Sequence, residues 1–265
     1  MCARRFLFPE CSQDLRHDRN GNMTIKYLLN DDAVFVIDKP AGMPAVSLLS
    51  DEKGTLASLI LAENPAQADV GENPLEAGLV NRIDNDTSGI VVGARTKDAY
   101  EKLRKQFTEG DVIKEYEALV IGRVEKDGKI KTQIAHHPGK KNRMIACESK
   151  DVAIKNKARP AVTEYFIKER FKKAENEYTL LRVLISTGVR HQIRVHLASL
   201  GHPLSGDSLY RNLRKKAADG ILKNRHFLHA SRIVFFHPVT LHKIDVSCPL
   251  SKELKKVIGD LERCG

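Results

Sequence analysis

The sequence has no tryptophan, and its aromatic residues are nine phenylalanines and six tyrosines among 265 residues. Proteins that bind single-stranded nucleic acid without sequence preference stack successive bases on aromatic side chains. The scarcity of rings therefore argues against an extended stacking surface. A bound nucleobase must be stacked by one or two rings.

Cysteines are few, and none of them form a CxxC pair: Cys2, Cys11, Cys147, Cys248 and Cys264. An odd number without paired spacing argues against a disulfide framework and against a zinc knuckle. We therefore expect a reducing, cytoplasmic location and no bound metal.

Long hydrophobic runs are also missing. The longest apolar stretches, around residues 33–37 and 56–62, fall well short of the roughly 18–20 residues of a transmembrane helix. The apolar run that follows Arg4 and Arg5 ends at Pro9, too early for a signal-peptide core of roughly 7–15 residues. We expect no membrane partner.

Basic residues are in excess, and the excess is regional. The formal charge is +10 overall, but it is −6 over residues 1–120 and +14 over residues 121–226. Regional positive charge is typical of proteins that bind a polyanion such as nucleic acid. The alternative is a solvated lysine-rich surface.

The order of elements predicts an α+β fold, with a mostly antiparallel mixed β-sheet flanked by helices in one domain. Strands are expected at 33–38, 89–94, 116–120, 143–147, 162–166, 178–185 and 227–236. Helices are expected at 55–63, after Thr96 up to Gly110, at 190–200 and at 252–263. We place an N-terminal extension at 1–30 and the single domain at 31–265.

A first candidate site is the polar segment N-R-I-D-N-D-T-S-G at 81–89. Its side chains can satisfy their own backbone, so it could be a simple turn before the strand at 90. That interpretation does not explain Arg82, which stands two residues before Asp84 and offers a charge-assisted partner for a carboxylate or a phosphate.

A second candidate site is T-G-V-R-H-Q-I-R-V-H-L at 187–197. Arg190 and Arg194 are expected on one face of the first helical turns, where the helix dipole disfavours cations. They need an anion, either a carboxylate from elsewhere in the chain or phosphates. His191 and His196 lack the spacing of a metal pair and are expected to be hydrogen-bonded or solvated.

These segments, with three others, resemble the RluA-type pseudouridine synthase family. The matches, in order, are K-P-A-G at 39–42, R-I-D-N-D-T-S-G at 82–89, K-E-Y-E-A-L-V-I-G at 114–122, the segment 187–197 followed by G-H-P and G-D, and L-H-A with F-H-P at 228–238. Each motif alone is weak, but five in order are strong.

The resemblance implies a pseudouridine synthase fold and isomerisation of uridine to pseudouridine in RNA, without cofactor or metal. It implies that Asp84 is the catalytic aspartate, that Tyr116 stacks on the target base and that Arg194 pairs with the aspartate. Such an enzyme must flip its target nucleotide out of the stack. Arg82 is the candidate for filling the vacated space or holding the backbone.

We expect ribosomal or transfer RNA as the partner of a monomer. The expected RNA-binding residues are Arg82, Arg190, His191, Gln192, Lys140, Lys141, Arg143, Lys215 and Lys216. Only about 30 residues precede the first core strand, which we expect to be too few for the small N-terminal S4 module of many relatives. The catalytic domain itself must then hold the RNA.

The chain departs from the family motifs at two further positions. Asn81 replaces a histidine, and Val189 stands where the family has its first arginine, so that Arg190 is displaced by one position. Both changes concern RNA affinity or target choice more than chemistry.

Two other functions fit the sequence less well. An N-glycosidase could use Asp84 and Asp86 as paired carboxylates, but residues two apart in a strand point to opposite faces. A non-catalytic RNA-binding protein would have no chemical reason to keep Asp84, Tyr116 and Arg194 together.

Overall fold

The computed structural model describes residues 5–6, 16–17, 23–147, 149–211, 221–222 and 224–264. Its strands are β1 Arg5–Phe6, β2 Arg16–His17, β3 Met23–Thr24, β4 Tyr27–Asn30, β5 Val34–Lys39, β6 Ser88–Ala94, β7 Ile113–Ile121, β8 Gly128–His136, β9 Met144–Cys147, β10 Arg159–Lys173, β11 Asn176–Ile185, β12 Leu228–Phe236, β13 Lys243–Ser247 and β14 Glu262–Cys264. The α-helices are α1 Leu56–Glu63, α2 Lys97–Glu109, α3 Lys150–Lys155, α4 Gln192–Ser199 and α5 Lys252–Gly259, and short 3₁₀ helices cover Pro65–Asp69 and Pro74–Glu76.

The chain divides into two compact units. The first comprises Met1–Lys114 and His229–Lys252, and the second comprises Glu115–Leu228 and Glu253–Gly265. In the first unit the strand order is β4-β5-β6-β12-β13-β1. The contact between β6 and β12 is parallel, whereas those of β5 with β4 and with β6 are antiparallel. The unit therefore holds a mixed sheet.

In the first unit, β5 and β6 are buried along their whole length. Strands that are covered on both faces read as continuous apolar runs, which is how both were predicted. The helix α2 is bounded as expected, by Thr96, whose hydroxyl accepts a bond from the third helical residue, and by Gly110 with a φ of 85°. Such a cap and a left-handed glycine are the ordinary signals of a helix start and stop.

In the second unit the strand order is β7-β11-β10-β8-β9, and β14 pairs with β10. The contacts of β10 with β11 and with β8, and that of β8 with β9, are antiparallel. Together the two units confirm the predicted α+β class with a mostly antiparallel, mixed sheet and few helices.

Three predicted elements need correction. The last helix ends at Gly259 instead of Arg263, because residues 262–264 satisfy their backbone groups as β14 on the edge of β10. β10 extends well beyond the predicted 162–166. The helix predicted from Arg190 starts at Gln192, since His191 has a left-handed φ of 55° that a helix cannot continue through.

No helix of the described part of the chain is long and apolar enough to cross a membrane.

Candidate active site

Asp84 lies in a turn of the first unit, half-buried, immediately before β6. The turn is closed by a hydrogen bond from the Thr87 amide to the Asp84 carbonyl oxygen at 3.0 Å. On the other side of Asp84, the side-chain oxygen of Asn81 accepts the amide of Val92 on β6 at 2.7 Å. The residue that departs from the family histidine therefore fastens the segment before Asp84 to the sheet.

The segment after Asp84 is fastened as well. Ser88 is fully buried, and its hydroxyl lies 2.9 Å from Nδ1 of His229 on β12. Nε2 of the same ring lies 3.0 Å from the carbonyl oxygen of Cys248. Gly89 follows in β6, directly opposite Ala230.

A buried lysine joins the K-P-A-G turn to the Asp84 turn. Lys39 has no exposed surface. Its ammonium group donates to the carbonyl oxygens of Pro40, Met43 and Asn85, at 2.8, 2.7 and 3.0 Å. The amide of Gly42 also donates to the Asn85 carbonyl, at 2.9 Å. The residue next to Asp84 is thus bonded twice by the first motif.

Arg194 lies in the first turn of α4 in the second unit, where the helix dipole disfavours a cation. Its Nε and Nη2 donate to the two carboxylate oxygens of Asp207, at 2.7 and 3.0 Å. Burial alone would raise the pKa of the Asp207 carboxyl, but the bonds from Arg194 hold that pKa below its ordinary value. Asp207 is an anion of the kind that the sequence required.

Gln192, which was expected to bind RNA, is hydrogen-bonded within the protein. The residue is 3% exposed. Its side-chain oxygen accepts from the Thr187 hydroxyl and the Val189 amide, and its NH₂ group donates to the Val162 carbonyl and the Thr163 hydroxyl. These four bonds match the full capacity of an amide side chain, so Gln192 fastens the start of α4 to β10.

Tyr210 contacts several of the basic residues. Its hydroxyl accepts the Met144 amide at 2.8 Å and lies 2.8 Å from Nδ1 of His191. The guanidinium carbons of Arg194 and Arg143 lie 5.1 and 5.4 Å from the centre of its ring, within the range of cation–π contacts. One largely buried ring therefore contacts three residues that the sequence singled out.

His196 is fully buried in α4. Its Nδ1 lies 2.8 Å from the Thr163 hydroxyl and its Nε2 lies 3.0 Å from the Thr132 hydroxyl. Burial lowers the pKa of the ring to about 4, so the ring is neutral at pH 7. Among the described residues no cluster of histidine, cysteine and acidic side chains could hold a metal.

Tyr116 lies on β7 and is 8% exposed. Lys114, two residues earlier and therefore on the same face of the strand, is also buried, which lowers its pKa. The Lys114 ammonium lies 5.8 Å from the centre of the Phe107 ring.

Residues 33–199, which include Asp84, Tyr116 and Arg194, match the family described as RNA pseudouridylate synthase. The chain belongs to this family. The predicted enzyme class, an RNA pseudouridine synthase, is thereby confirmed, and the family supports isomerisation of uridine in RNA.

Among the relatives of this family member is a ribosomal large subunit pseudouridine synthase D of Xanthomonas campestris pv. campestris, 35% identical over 92% of this chain and 72% of the relative. Another, from Nitrosomonas europaea, carries the same name and is 35% identical over 88% of this chain and 64% of the relative. The solved structure of human RNA pseudouridylate synthase domain containing 1 shares the fold, with a TM-score of 0.70, 22% identity and coverage of 91% of this chain and 89% of that one.

The residues expected to bind RNA in this pseudouridine synthase differ in their exposure to solvent. Arg82 is exposed, with Nη1 3.7 Å from a carboxylate oxygen of Glu76. Lys140 and Lys141 are exposed in the turn between β8 and β9, and Arg190 is exposed in the turn before α4. Arg143 is half-buried. Lys215 and Lys216 lie outside the described residues.

Sequence reasoning missed the parts played by Lys39, Asp207 and Tyr210. The first two stand in segments that matched the family motifs, K-P-A-G and G-D, which was the available signal. Tyr210 had no signal beyond its position three residues after Asp207.

Proposed function

We propose that this protein converts uridine to pseudouridine in large-subunit ribosomal RNA. In this proposal Asp84 is the catalytic aspartate, Tyr116 stacks on the target base and Arg194 pairs with Asp84. The choice of RNA follows the names of the two bacterial relatives. The residue roles follow the match of these positions to the family motifs.

The chemistry requires an ionised carboxylate. The bond from N1 to C1′ breaks, the uracil turns, and a bond forms from C1′ to C5, while C5 loses its proton and N1 gains one. Asp84 can act as a nucleophile on the sugar or as a base near C2′, and both roles need the charged form. An arginine paired with the carboxylate favours that form.

The observation that carries the proposal is the fastening of the Asp84 turn. Asn81 ties one side of the turn to β6, Ser88 ties the other side to β12, and Lys39 bonds the carbonyl of Asn85. A catalytic carboxylate gains most from such rigid support, because a misplacement of about 1 Å can cost roughly 100-fold in rate. A simple surface turn has no need of three separate anchors.

RNA binding in the proposal relies on six of the basic residues that the structure describes: Arg82, Arg190, His191, Lys140, Lys141 and Arg143. Flipping the target nucleotide costs a few kcal/mol, which contacts between these residues and phosphates would offset. Ribosomal RNA is recognised mainly through the shape of loops and unstacked bases. The protein acts as a monomer in this scheme.

The test is conversion of unmodified RNA transcripts by the purified protein. Large-subunit ribosomal RNA labelled with tritium at C5 of uridine releases tritium when pseudouridine forms, and sequencing locates the product. Asp84→Asn is expected to abolish release, whereas Asp86→Asn, the matched substitution two residues away, is expected to reduce it mildly. RNA from cells that lack the protein should miss the same pseudouridine, and Asp84→Asn should not restore it.

Each alternative has its own outcome in this experiment. An N-glycosidase would release free uracil and would need Asp86 as much as Asp84. A non-catalytic RNA-binding protein would release no tritium from any RNA, and the cells lacking it would keep every pseudouridine. Conversion of transfer RNA transcripts alone would overturn the choice of ribosomal RNA and keep the enzyme class.

A further inference from the structure

The guanidinium of Arg194 is held along one edge. Nε and Nη2 donate to separate oxygens of Asp207, and the side chains of the two residues are 10% and 0% exposed. A planar guanidinium bonded at two points to one carboxylate has a fixed plane and direction, which a single bond would not give.

Asp207 is itself fixed by its backbone surroundings. Its Oδ1 also accepts the amides of Leu209 and Tyr210, at 3.0 and 3.2 Å. Gly206, just before it, has a φ of 76°, and a Cβ there would lie 2.2 Å from the carbonyl oxygen of Arg225. The G-D pair therefore sets a tight turn that only glycine permits, and the turn aims the carboxylate.

The guanidinium of Arg194 also lies over the ring of Tyr210. The ring centre lies 5.1 Å from the central carbon of Arg194. The ring is anchored through its hydroxyl, which accepts the Met144 amide and contacts His191. On the same ring lies Arg143, which ends the basic turn that contains Lys140 and Lys141.

We propose that Asp207 and Tyr210 are positioning residues for the reaction: two hydrogen bonds to Asp207 and the contact with the Tyr210 ring fix the guanidinium of Arg194 before RNA binds. The inference rests on the proposed function, in which Arg194 pairs with the catalytic aspartate. An arginine side chain has several rotatable bonds. Without contacts that hold it, the conformational entropy of these bonds would have to be lost in every catalytic cycle. Asp207 and Tyr210 remove that cost in advance.

Asp207→Asn tests the edge contact. The remaining oxygen keeps the bonds from Leu209, Tyr210 and Nη2 of Arg194, while the new NH₂ group faces the Nε hydrogen of Arg194, and two donors cannot bond. We expect kcat on the ribosomal RNA transcript to fall by about 10- to 100-fold, the size of effect that misplacement of a catalytic group produces. KM should stay within about 3-fold, because substrate binding is not the step affected.

A matched pair tests the contact with the Tyr210 ring. Tyr210→Phe and Tyr210→Leu both remove the hydroxyl, but only the phenylalanine keeps a ring beneath Arg194. We expect kcat of the phenylalanine variant to stay within about 5-fold of wild type and that of the leucine variant to fall by about 10-fold or more, as removal of an aromatic face allows the guanidinium to turn. This pair also carries the test should Asp207→Asn fail to fold, which thermal unfolding would reveal.

Two further measurements separate positioning from general destabilisation. Asp245→Asn disrupts a comparable two-point pair, in which Nε and Nη2 of Arg232 bond the carboxylate at 2.8 and 2.7 Å, and should leave kcat unchanged. In an Arg194→Lys background, which lacks the planar fork, Asp207→Asn should cost less than about 3-fold, since residues that act through one group are not additive.

The inference is overturned if Asp207→Asn and Tyr210→Leu keep wild-type kcat, or if Asp207→Asn costs the same factor with lysine at position 194. A wild-type protein that converts no uridine in any RNA would overturn the proposed function and the inference with it. An active wild type with unaffected variants would overturn the inference alone.

Discussion

The ammonium group of Lys39 donates to the carbonyl oxygen of Asn85, 46 residues along the chain, at 3.0 Å. The Lys39 side chain has no exposed surface. Two more carbonyl oxygens, of Pro40 and Met43, accept from the same nitrogen. A buried charge is tolerated only where such partners replace water. The lysine of the first motif is therefore a structural clamp on the turn that carries Asp84.

Lys39→Met is expected to lower the free energy of unfolding by about 3 kcal/mol, because three carbonyl oxygens around the fully buried ammonium group lose their common donor. Urea unfolding followed by circular dichroism measures the change. Lys102→Met is the control, since Lys102 is exposed and makes one ion pair with Asp98 on the same helix. The control should change stability by less than about 0.5 kcal/mol, and equal effects would contradict the clamp.

Gly89 closes the Asp84 motif at a position where only glycine fits. Its φ is 108°, and a Cβ would lie 2.3 Å from the carbonyl oxygen of Ala230 on the neighbouring strand. Gly89→Ala is expected to cost about 4 kcal/mol in unfolding free energy, from overpacking against backbone together with backbone strain.

Gly259→Ala provides the matched comparison. Gly259 has an ordinary φ and nothing within 4 Å of an added Cβ. The alanine should leave stability unchanged or raise it by up to about 1 kcal/mol through the unfolded state. A similar loss at both glycines would show that the contact with Ala230 is not the cause.

The parts of the fold that could be predicted from the sequence are those whose signals are local. The strands at 33–38 and 89–94 are covered on both faces, so their apolar runs were sufficient, and α2 carried its own start and stop residues. β14 has no such signal, because its three residues form a strand only through pairing with β10.

The candidate site was predictable to the same extent. The need of Arg194 for an anion followed from its place in a helix, but Asp207 as a partner depends on a turn 13 residues away. The burial of Gln192 could not be predicted locally, because its NH₂ group donates to Val162 and Thr163, about 30 residues earlier in the chain. Local sequence periodicity does not predict tertiary partners of this kind.

His196 makes stability depend on pH. Burial lowers the pKa of its ring to about 4, against an ordinary value of about 6.5 in the unfolded chain. Between these values the unfolded state binds a proton that the folded state does not. Stability is therefore complete above about pH 6.5 and falls as the pH drops towards 4.

Between pH 7.5 and 5.5 this histidine is expected to remove about 1 kcal/mol of unfolding free energy. The glutamine in His196→Gln cannot titrate. The unfolding free energy of this variant should therefore fall by about 1 kcal/mol less than that of wild type over the same pH interval, whatever its stability at pH 7.5. His136→Gln, which replaces an exposed histidine, is the control for the substitution itself. Parallel curves for His196→Gln and wild type would show that the buried ring takes up its proton in the folded state.

The positive charge of residues 121–226 should act through particular side chains in the second unit. Lys140 and Lys141 are exposed in the turn between β8 and β9, next to Arg143 and its contact with Tyr210. Each lysine that neutralises a phosphate adds nearly one unit to the slope of log K against log salt. Replacing both with alanine is expected to reduce the slope for binding to the ribosomal RNA transcript by about two units.

Lys129→Ala with Lys168→Ala removes the same charge from the same unit. These lysines are paired with Glu164 and Glu117, each at 2.5 Å, so their loss releases few counterions from RNA. The slope of this control should change by less than about half a unit. Equal reductions in both double variants would mean that RNA binding depends on the net charge of the unit and not on the turn between β8 and β9. The long-range field of the unit falls equally in both variants, and it reaches furthest at low salt, where the screening length is longest.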